Sequence, residues 1–337
     1  MAKLKVYVSP SAKRGAGYGN PYLYNMKDCL ASHFHVLERD SKPCLAQGTA
    51  LLSNSLKADV FVLNFLESIG FQKLSLLQYL MARMSLWIMR LRKRKVVYMF
   101  HNMRPHQGEN FMTKGMTRLM LRQSSAVVSH SKAAAEHAKE RLREMGLPDT
   151  KVRYVCHPVK KIKVDRSKSF GEPCDVFIWG AVLPYKGILE FVRDPRLAES
   201  GLSVRIIGSC KDEALAKALK ERETGKVKFE NRKASFDEIA WHCAKARFTL
   251  FPYLPGSVSS SGALIDTIVF GGRPLGPDIG AFSDLHDEGV CSVYDNREEM
   301  FRILGGGTMP LPEEAREDFI SRNSWGKFGD TLAEIIG

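Results

Sequence analysis

No run of eighteen apolar residues occurs anywhere in this chain of 337, so it has no segment that reads as a membrane-spanning helix. The opening MAKLKVYVSPS passes straight into an alternating strand and lacks the apolar core of a secretory leader, so a cytoplasmic location is expected. The seven cysteines are scattered and odd in number, with no CxxC pair. That speaks against a disulfide framework or a zinc site and for a reducing compartment, and no metal ligands are expected. Carboxylates are scarce in the first half. Residues 1–163 carry 28 Lys and Arg against 10 Asp and Glu, and the remainder carries 22 against 27. The formal net charge of +13 thus comes from one half, which suits an anionic partner.

What the chain does have is two series of strands alternating with helices, which predicts two doubly wound parallel sheets. The stretch from Thr249 to Leu285 is the most informative. A short strand ends at Phe251, and a loop rich in Pro, Gly and Ser runs to Ser259. Ser260, Ser261 and Gly262 then open a helix over 263–270 that Gly271-Gly272 stops. A helix N-terminus offers unpaired N–H groups and the positive end of the helix dipole, and nothing bulky blocks this one. It is a candidate phosphate site, with Asp266 as a candidate acceptor for a ribose diol. A serine that merely caps the helix is the plainer reading of the same residues.

Earlier in this half, the strand DVFIWG (175–180) precedes the turn AVLPYKG, which places Lys186 at a strand's carboxyl end, just before a helix. A lysine there can reach a diphosphate, although an ordinary surface lysine fits the same pattern. Gly208 ends the strand LSVRIIG, and Asn231 to Lys233 follow another strand. Backbone near these positions is the expected place for a nucleotide base.

In the first half, a strand over 3–8 is followed by SPSAKRGAGYGN, with glycines at 15, 17 and 19, and then by a helix that Asn20-Pro21 begins. Gly15, Gly17 and Gly19 would allow close backbone approach to a ligand, though the spacing is not GxGxxG. A helix from Phe71 to Arg92 carries Leu74, Leu77, Leu80, Met81, Met84, Trp87, Ile88 and Leu91 on one stripe, which reads mostly as core. Its end is dense in cations: Arg90, Arg92, Lys93, Arg94 and Lys95. At about 1 kcal/mol per basic residue near anionic lipid, they predict docking on a membrane surface. The strand VVYMF (96–100) leads into HNMRPH, where His101 is a candidate site residue, with His106 and Glu109 further along. The linker KKIKVDRSKSFGEP reads as exposed.

Six segments in register resemble glycosyltransferase family 4 of the GT-B class over nearly the whole length. They are SAKRGAGYGN, HNMRPH, SHSKAAAE, WGAVLPYKG, SSSGALIDTIVFGGRPLGPDIGAFSDL and WGKFGDTLAEII. The resemblance implies two Rossmann-like domains facing across a cleft, residues 1–163 and 164–318, and a terminal helix, 319–337, that returns to the first. It implies retaining, metal-independent transfer of a sugar from a UDP- or GDP-sugar, with no other cofactor. His101, Lys186 and Asp266 would be catalytic. Gly15, Gly17, Gly19, Gly208, Asn231, Ser260, Ser261 and Gly262 would bind the donor. The implied acceptor is a lipid-linked saccharide in surface polysaccharide synthesis, met peripherally at the inner membrane face. Of the family's paired acidic positions, Val258 occupies the first and Asp266 the second, which keeps an inactive scaffold as an alternative. A nucleotide-sugar epimerase would need more carboxylates than the first half holds. Nucleic-acid binding is not expected, since no recognised module accompanies the basic half.

Overall fold

The computed structural model describes all residues except 1–2, 11–19, 39–42, 102–109, 161, 256–259 and 308–310; the side chains of 43–46 also lie outside the description. The glycines at 15, 17 and 19, and with them His106, Glu109 and Val258, fall in those gaps. The chain forms two compact units. Unit 1 comprises Met1–Cys156 and Ser324–Gly337, and unit 2 comprises His157–Asn323.

Unit 1 contains six parallel strands: β1 (Lys5–Ser9), β2 (His35–Val36), β3 (Val60–Asn64), β4 (Lys95–Phe100), β5 (Ala126–Ser129) and β6 (Lys151–Tyr154). Their order is β2-β1-β3-β4-β5-β6. Helices α1 (Pro21–Ala31), α2 (Pro43–Ser55), α3 (Ser75–Leu91), α4 (Phe111–Gln123) and α5 (Lys132–Glu144) connect them. Unit 2 holds β7 (Val176–Trp179), β8 (Val204–Ile207), β9 (Val227–Glu230), β10 (Phe248–Leu250), β11 (Pro274–Pro277) and β12 (Ser292–Tyr294). Its helices are α6 (Ile188–Val192), α7 (Pro195–Ser200), α8 (Glu213–Lys220), α9 (Phe236–Lys245), α10 (Gly262–Val269), α11 (Ala281–Asp287), α12 (Arg297–Gly305) and α13 (Glu313–Arg322). The sheet order is β12-β11-β10-β7-β8-β9, again all parallel. Inner strands such as β3 (VFVLN) and β7 (VFIW) are apolar runs, as suits strands covered on both faces by helices, whereas the edge strands β6 (KVRY) and β9 (VKFE) carry charges. Val6, Val62, Val97 and Val128 point to one side of the first sheet, and Tyr7, Phe61, Val96 and Val127 to the other.

The first unit is closed by the end of the chain. Instead of one terminal helix over 319–337, α13 stops at Arg322 and Ser324 caps a separate helix, α14 (Trp325–Ile336), by accepting from the Lys327 N–H. Phe328, Leu332 and Ile336 of α14 are buried among Tyr22, Leu23 and Met26 of α1. Lys95 Nζ donates to the carbonyls of Ile336 (2.5 Å) and Gly337 (3.0 Å).

Two expectations need correction. The linker is pinned in part: Ile162 and Val164 pack beside Phe177 and Ile239, and Lys168 pairs with Asp237 at 2.7 Å. The stripe on α3 is not core. Its inward face is Gln78, Tyr79, Ala82, Ser85, Leu86 and Met89, while Leu77, Leu80, Met84, Trp87 and Leu91 are exposed. The physical reason lies at Gly48 of α2, whose Cα is so close to Gln78 that a Cβ would sit 2.8 Å from the Gln78 carbonyl oxygen. Two helices that approach this closely need small residues at the contact, and Ala82 and Ser85 supply them. Gln78 is satisfied there, accepting from the Gly48 N–H and donating to the Lys73 carbonyl at 2.7 Å.

At the C-terminus of α3, Lys93 has φ 51° and the Arg94 N–H reaches back to the Met89 carbonyl at 2.8 Å. That is a left-handed helix stop occupied by a residue with a Cβ. Lys93→Gly is therefore expected to stabilise unit 1 by about 1 kcal/mol, read as a higher urea midpoint. An unchanged or lower midpoint would contradict this account of the stop.

Candidate active site

In unit 2 the chain begins at β7, moves out through β8 to β9, then returns to the other side of β7 for β10, β11 and β12. The order reverses between β7 and β10, and in open parallel sheets ligands bind outside the carboxyl ends at such a reversal. The residues there are Gly180 and the turn to Lys186 after β7, and Pro252 to Leu254 after β10. Gly187, at φ 64°, packs so tightly on the Pro252 carbonyl that any side chain would overlap it, which locks the two turns together.

Lys186 is 8% exposed. Its Nζ lies 3.5 Å from where a Cβ on Gly180 would be and 5.7 Å from the centre of the Tyr253 ring. Among the described residues its ammonium has neither a hydrogen bond nor an ion pair. Burial lowers its pKa from 10.5 to about 8. Tyr253 is itself buried, set edge-on against Tyr185, Phe251 and Phe282, with its hydroxyl 3.3 Å from Ser261 Oγ. Tyr253 thus connects the lysine to the start of α10. Sequence reasoning missed it, since an aromatic residue after a strand looks like core.

Ser261 occupies the N-cap position of α10 but makes no side-chain cap. Its carbonyl accepts from the Leu264 N–H at 3.1 Å, which leaves the N–H groups of Gly262 and Ala263 without partners among the described residues. Ser260 Oγ is buried and likewise has no partner there. A Cβ on Gly262 would meet nothing within 4 Å. The helix is held against β7 by Trp179, whose Nε1 donates to Thr267 Oγ1 at 3.0 Å. Asp266 lies one turn in and is 9% exposed, with no hydrogen bond to its carboxylate among the described residues. Burial raises its pKa, and Lys160 partly offsets the shift. Lys186, Tyr253, Ser260, Ser261 and Gly262 therefore form one connected patch with more donors than acceptors, an arrangement suited to a phosphate.

The expected base contacts fare differently. Asn231 is used internally, accepting from the Cys210 N–H at 2.8 Å and donating to the Cys210 carbonyl at 3.2 Å. Arg232 is occupied by Glu230 and Glu238. Gly208 abuts Gly180 so closely that a Cβ would collide with the Gly180 carbonyl. These residues shape the strand ends, while Lys233 stays exposed.

His101 belongs to unit 1, at the carboxyl end of β4. Asn64 Nδ2 donates to the Ser9 carbonyl at 3.2 Å, so its Oδ1 is the acceptor that faces His101 Nε2 at 3.0 Å. His101 therefore carries its proton on Nε2 toward Asn64. Its ring stacks on Phe65 at 4.1 Å, and Phe65 itself sits at φ 54°. Nearby His130 donates from Nδ1 to the Val155 carbonyl at 2.8 Å, so its Nε2 accepts from the Tyr22 hydroxyl at 2.5 Å. Burial holds His130 neutral, with a pKa of about 4. Among the described residues, no three His, Cys, Asp or Glu side chains gather as a metal site.

In sequence the chain matches no family model and no curated protein. Solved structures do resemble it. HepE of Anabaena, in complex with UDP and glucose, aligns with a TM-score of 0.67 at 13% identity over 98% of both chains. An α,α-trehalose 6-phosphate synthase of Burkholderia multivorans aligns with a TM-score of 0.68 at 11% identity, over 100% of this chain and 98% of its own. A glycosyltransferase of avilamycin A biosynthesis gives 0.58 at 15%, over 99% and 97%. Together with the two six-stranded parallel sheets, these likenesses establish that the chain has the GT-B fold, built from two Rossmann-like domains.

Proposed function

We propose that the chain is a glycosyltransferase whose donor, a UDP- or GDP-sugar, binds at the carboxyl ends of β7 and β10. The observation that carries this reading is the buried ammonium of Lys186, which has no ion pair among the described residues and which Tyr253 links to the start of α10. A protein keeps such a group when a ligand supplies the counter-charge. At about 4 Å and an effective dielectric near 20, one charge pair contributes roughly 4 kcal/mol before desolvation. Sugar transfer breaks the bond between the anomeric carbon and the diphosphate, so negative charge grows on the leaving phosphate. Lys186 and the N–H groups of Gly262 and Ala263 would stabilise that charge. Ser260 Oγ would donate to a phosphate oxygen, and Asp266 would accept from the ribose. His101 would contact the transferred sugar or the acceptor, and the glycine loop at 15–19 the donor's diphosphate and sugar. HepE was also crystallised with UDP-glucose, which supports a UDP-sugar donor. The resemblance to family 4 supports retention, metal independence and a lipid-linked saccharide acceptor in surface polysaccharide synthesis.

The test is a thermal-shift panel of UDP, GDP, ADP and CMP, run with and without a chelator. A nucleotide at a hundred times its dissociation constant stabilises by about 2.7 kcal/mol. One nucleoside diphosphate is expected to shift the wild type, with Lys186→Ala unresponsive. A panel in which none of the four shifts the wild type would refute the donor site and favour an inactive scaffold.

A further inference from the structure

Helix α3 exposes an apolar face to solvent in addition to the one it buries. Leu76, Leu77, Leu80, Met84, Trp87 and Leu91 are each between 46% and 62% exposed. At about 100° per residue they all fall within an arc of about 100°. The opposite face, with Gln78, Ala82 and Ser85, is the one turned to the core. Phe111, 70% exposed at the start of α4 and edge-on to the buried Tyr79, is a further apolar side chain in water. Contiguous exposed apolar surface of this kind marks a contact site.

Charge identifies the partner. Arg83 and Arg90 border one edge of the stripe, and Arg92 and Lys93 follow its end. Neither α3 nor α4 contains an Asp or Glu, whereas α4 adds Lys114, Arg118 and Arg122. A second copy laid along this face would set cation against cation. The five-residue basic cluster also divides. Arg94 pairs with Asp59 at 2.9 Å and Lys95 is bonded to the chain's last carbonyls, so both are structural. Among the described residues, Arg90, Arg92 and Lys93 make no ion pair and stand exposed.

We infer that α3 lies in the plane of an anionic lipid bilayer, with the stripe from Leu76 to Leu91 set among the acyl chains and the arginines at the phosphate level. This is the arrangement of an interfacial helix, with apolar residues and a tryptophan on one side and cations beside them. The inference concerns unit 1 alone and stands or falls separately from the donor site.

The experiment is co-sedimentation of the full chain with phosphatidylcholine vesicles, with and without one-third phosphatidylglycerol, at low and high salt. The wild type is expected to pellet with the anionic vesicles, and Trp87 emission to shift to the blue. Trp87→Phe, the control, should bind but lose that shift, since the other three tryptophans are only half-exposed. Leu80→Gln/Trp87→Gln/Leu91→Gln should lower binding at least tenfold while keeping its thermal transition, because all three side chains are already in water. Arg83→Gln/Arg90→Gln should bind like wild type at high salt and more weakly at low salt. Undiminished binding by the triple variant would overturn the inference. So would a concentration-dependent dimer of the wild type that the triple variant abolishes, with no vesicle binding, since the occupant would then be a second copy.

Discussion

Lys186→Met is expected to stabilise the unliganded protein by about 3 kcal/mol at pH 7 and to abolish its response to a nucleoside diphosphate. The magnitude follows from the lowering of the lysine's pKa from 10.5 to about 8, at roughly 1.4 kcal/mol per unit. The sign follows from which state holds the proton. The unfolded chain keeps it up to about pH 10.5, whereas the folded chain gives it up near pH 8. The charged lysine therefore costs stability fully below pH 8, and the cost fades as pH rises toward 10.5. The advantage of methionine should shrink over the same range. Urea titrations of both proteins at pH 7 and pH 10 measure it. Ligand affinity should fall as pH rises past 8, because the diphosphate binds the protonated form. A methionine variant less stable than wild type at pH 7 would mean that the lysine already has a counter-charge in the free protein.

The second large effect separates two glycines that look alike in the sequence. Gly208→Ala is expected to destabilise unit 2 by about 3 kcal/mol, because the new methyl would overlap the Gly180 carbonyl. Relief is blocked on both sides. The Gly208 N–H is bonded to Glu230 and the Gly180 N–H to Ile207, so the strand ends cannot part without losing those bonds. Gly262→Ala meets open space and should leave stability unchanged or raise it by up to about 1 kcal/mol. It should still weaken nucleotide binding, since the methyl would stand where the phosphate approaches α10. Denaturation midpoints and nucleotide shifts on both variants decide this. Equal stability for the two would refute the packing role of Gly208, and full nucleotide binding by Gly262→Ala would refute the helix-start site.

Much of the patch proposed for the donor was legible because its chemistry is local. A serine-glycine helix start and a lysine in a strand-to-helix turn declare themselves by composition and place. Tyr253 did not, because its role depends on β10 lying beside β7, a pairing that links residues far apart in sequence. The use of the Asn231 side chain was hidden for a related reason: its amide is spent on the Cys210 backbone across the sheet edge, a contact between residues far apart in sequence. The strand alternation gave the fold class, but a periodic stripe states only that a helix has two faces. On α3, which face turned inward was decided by the close approach at Gly48, and no single-helix pattern carries that information.

The return of α14 to unit 1 has a consequence for the order of events during synthesis. Unit 2 is one unbroken stretch, and its entry and exit lie side by side, with the Val159 N–H bonded to the Asn323 carbonyl at 2.7 Å. It can close as soon as its own residues have left the ribosome. Unit 1, begun first, is finished last. Until Phe328, Leu332 and Ile336 arrive, the surface of α1 that they cover stays bare. The nascent chain therefore carries an open apolar seam on its older half throughout the making of the younger one.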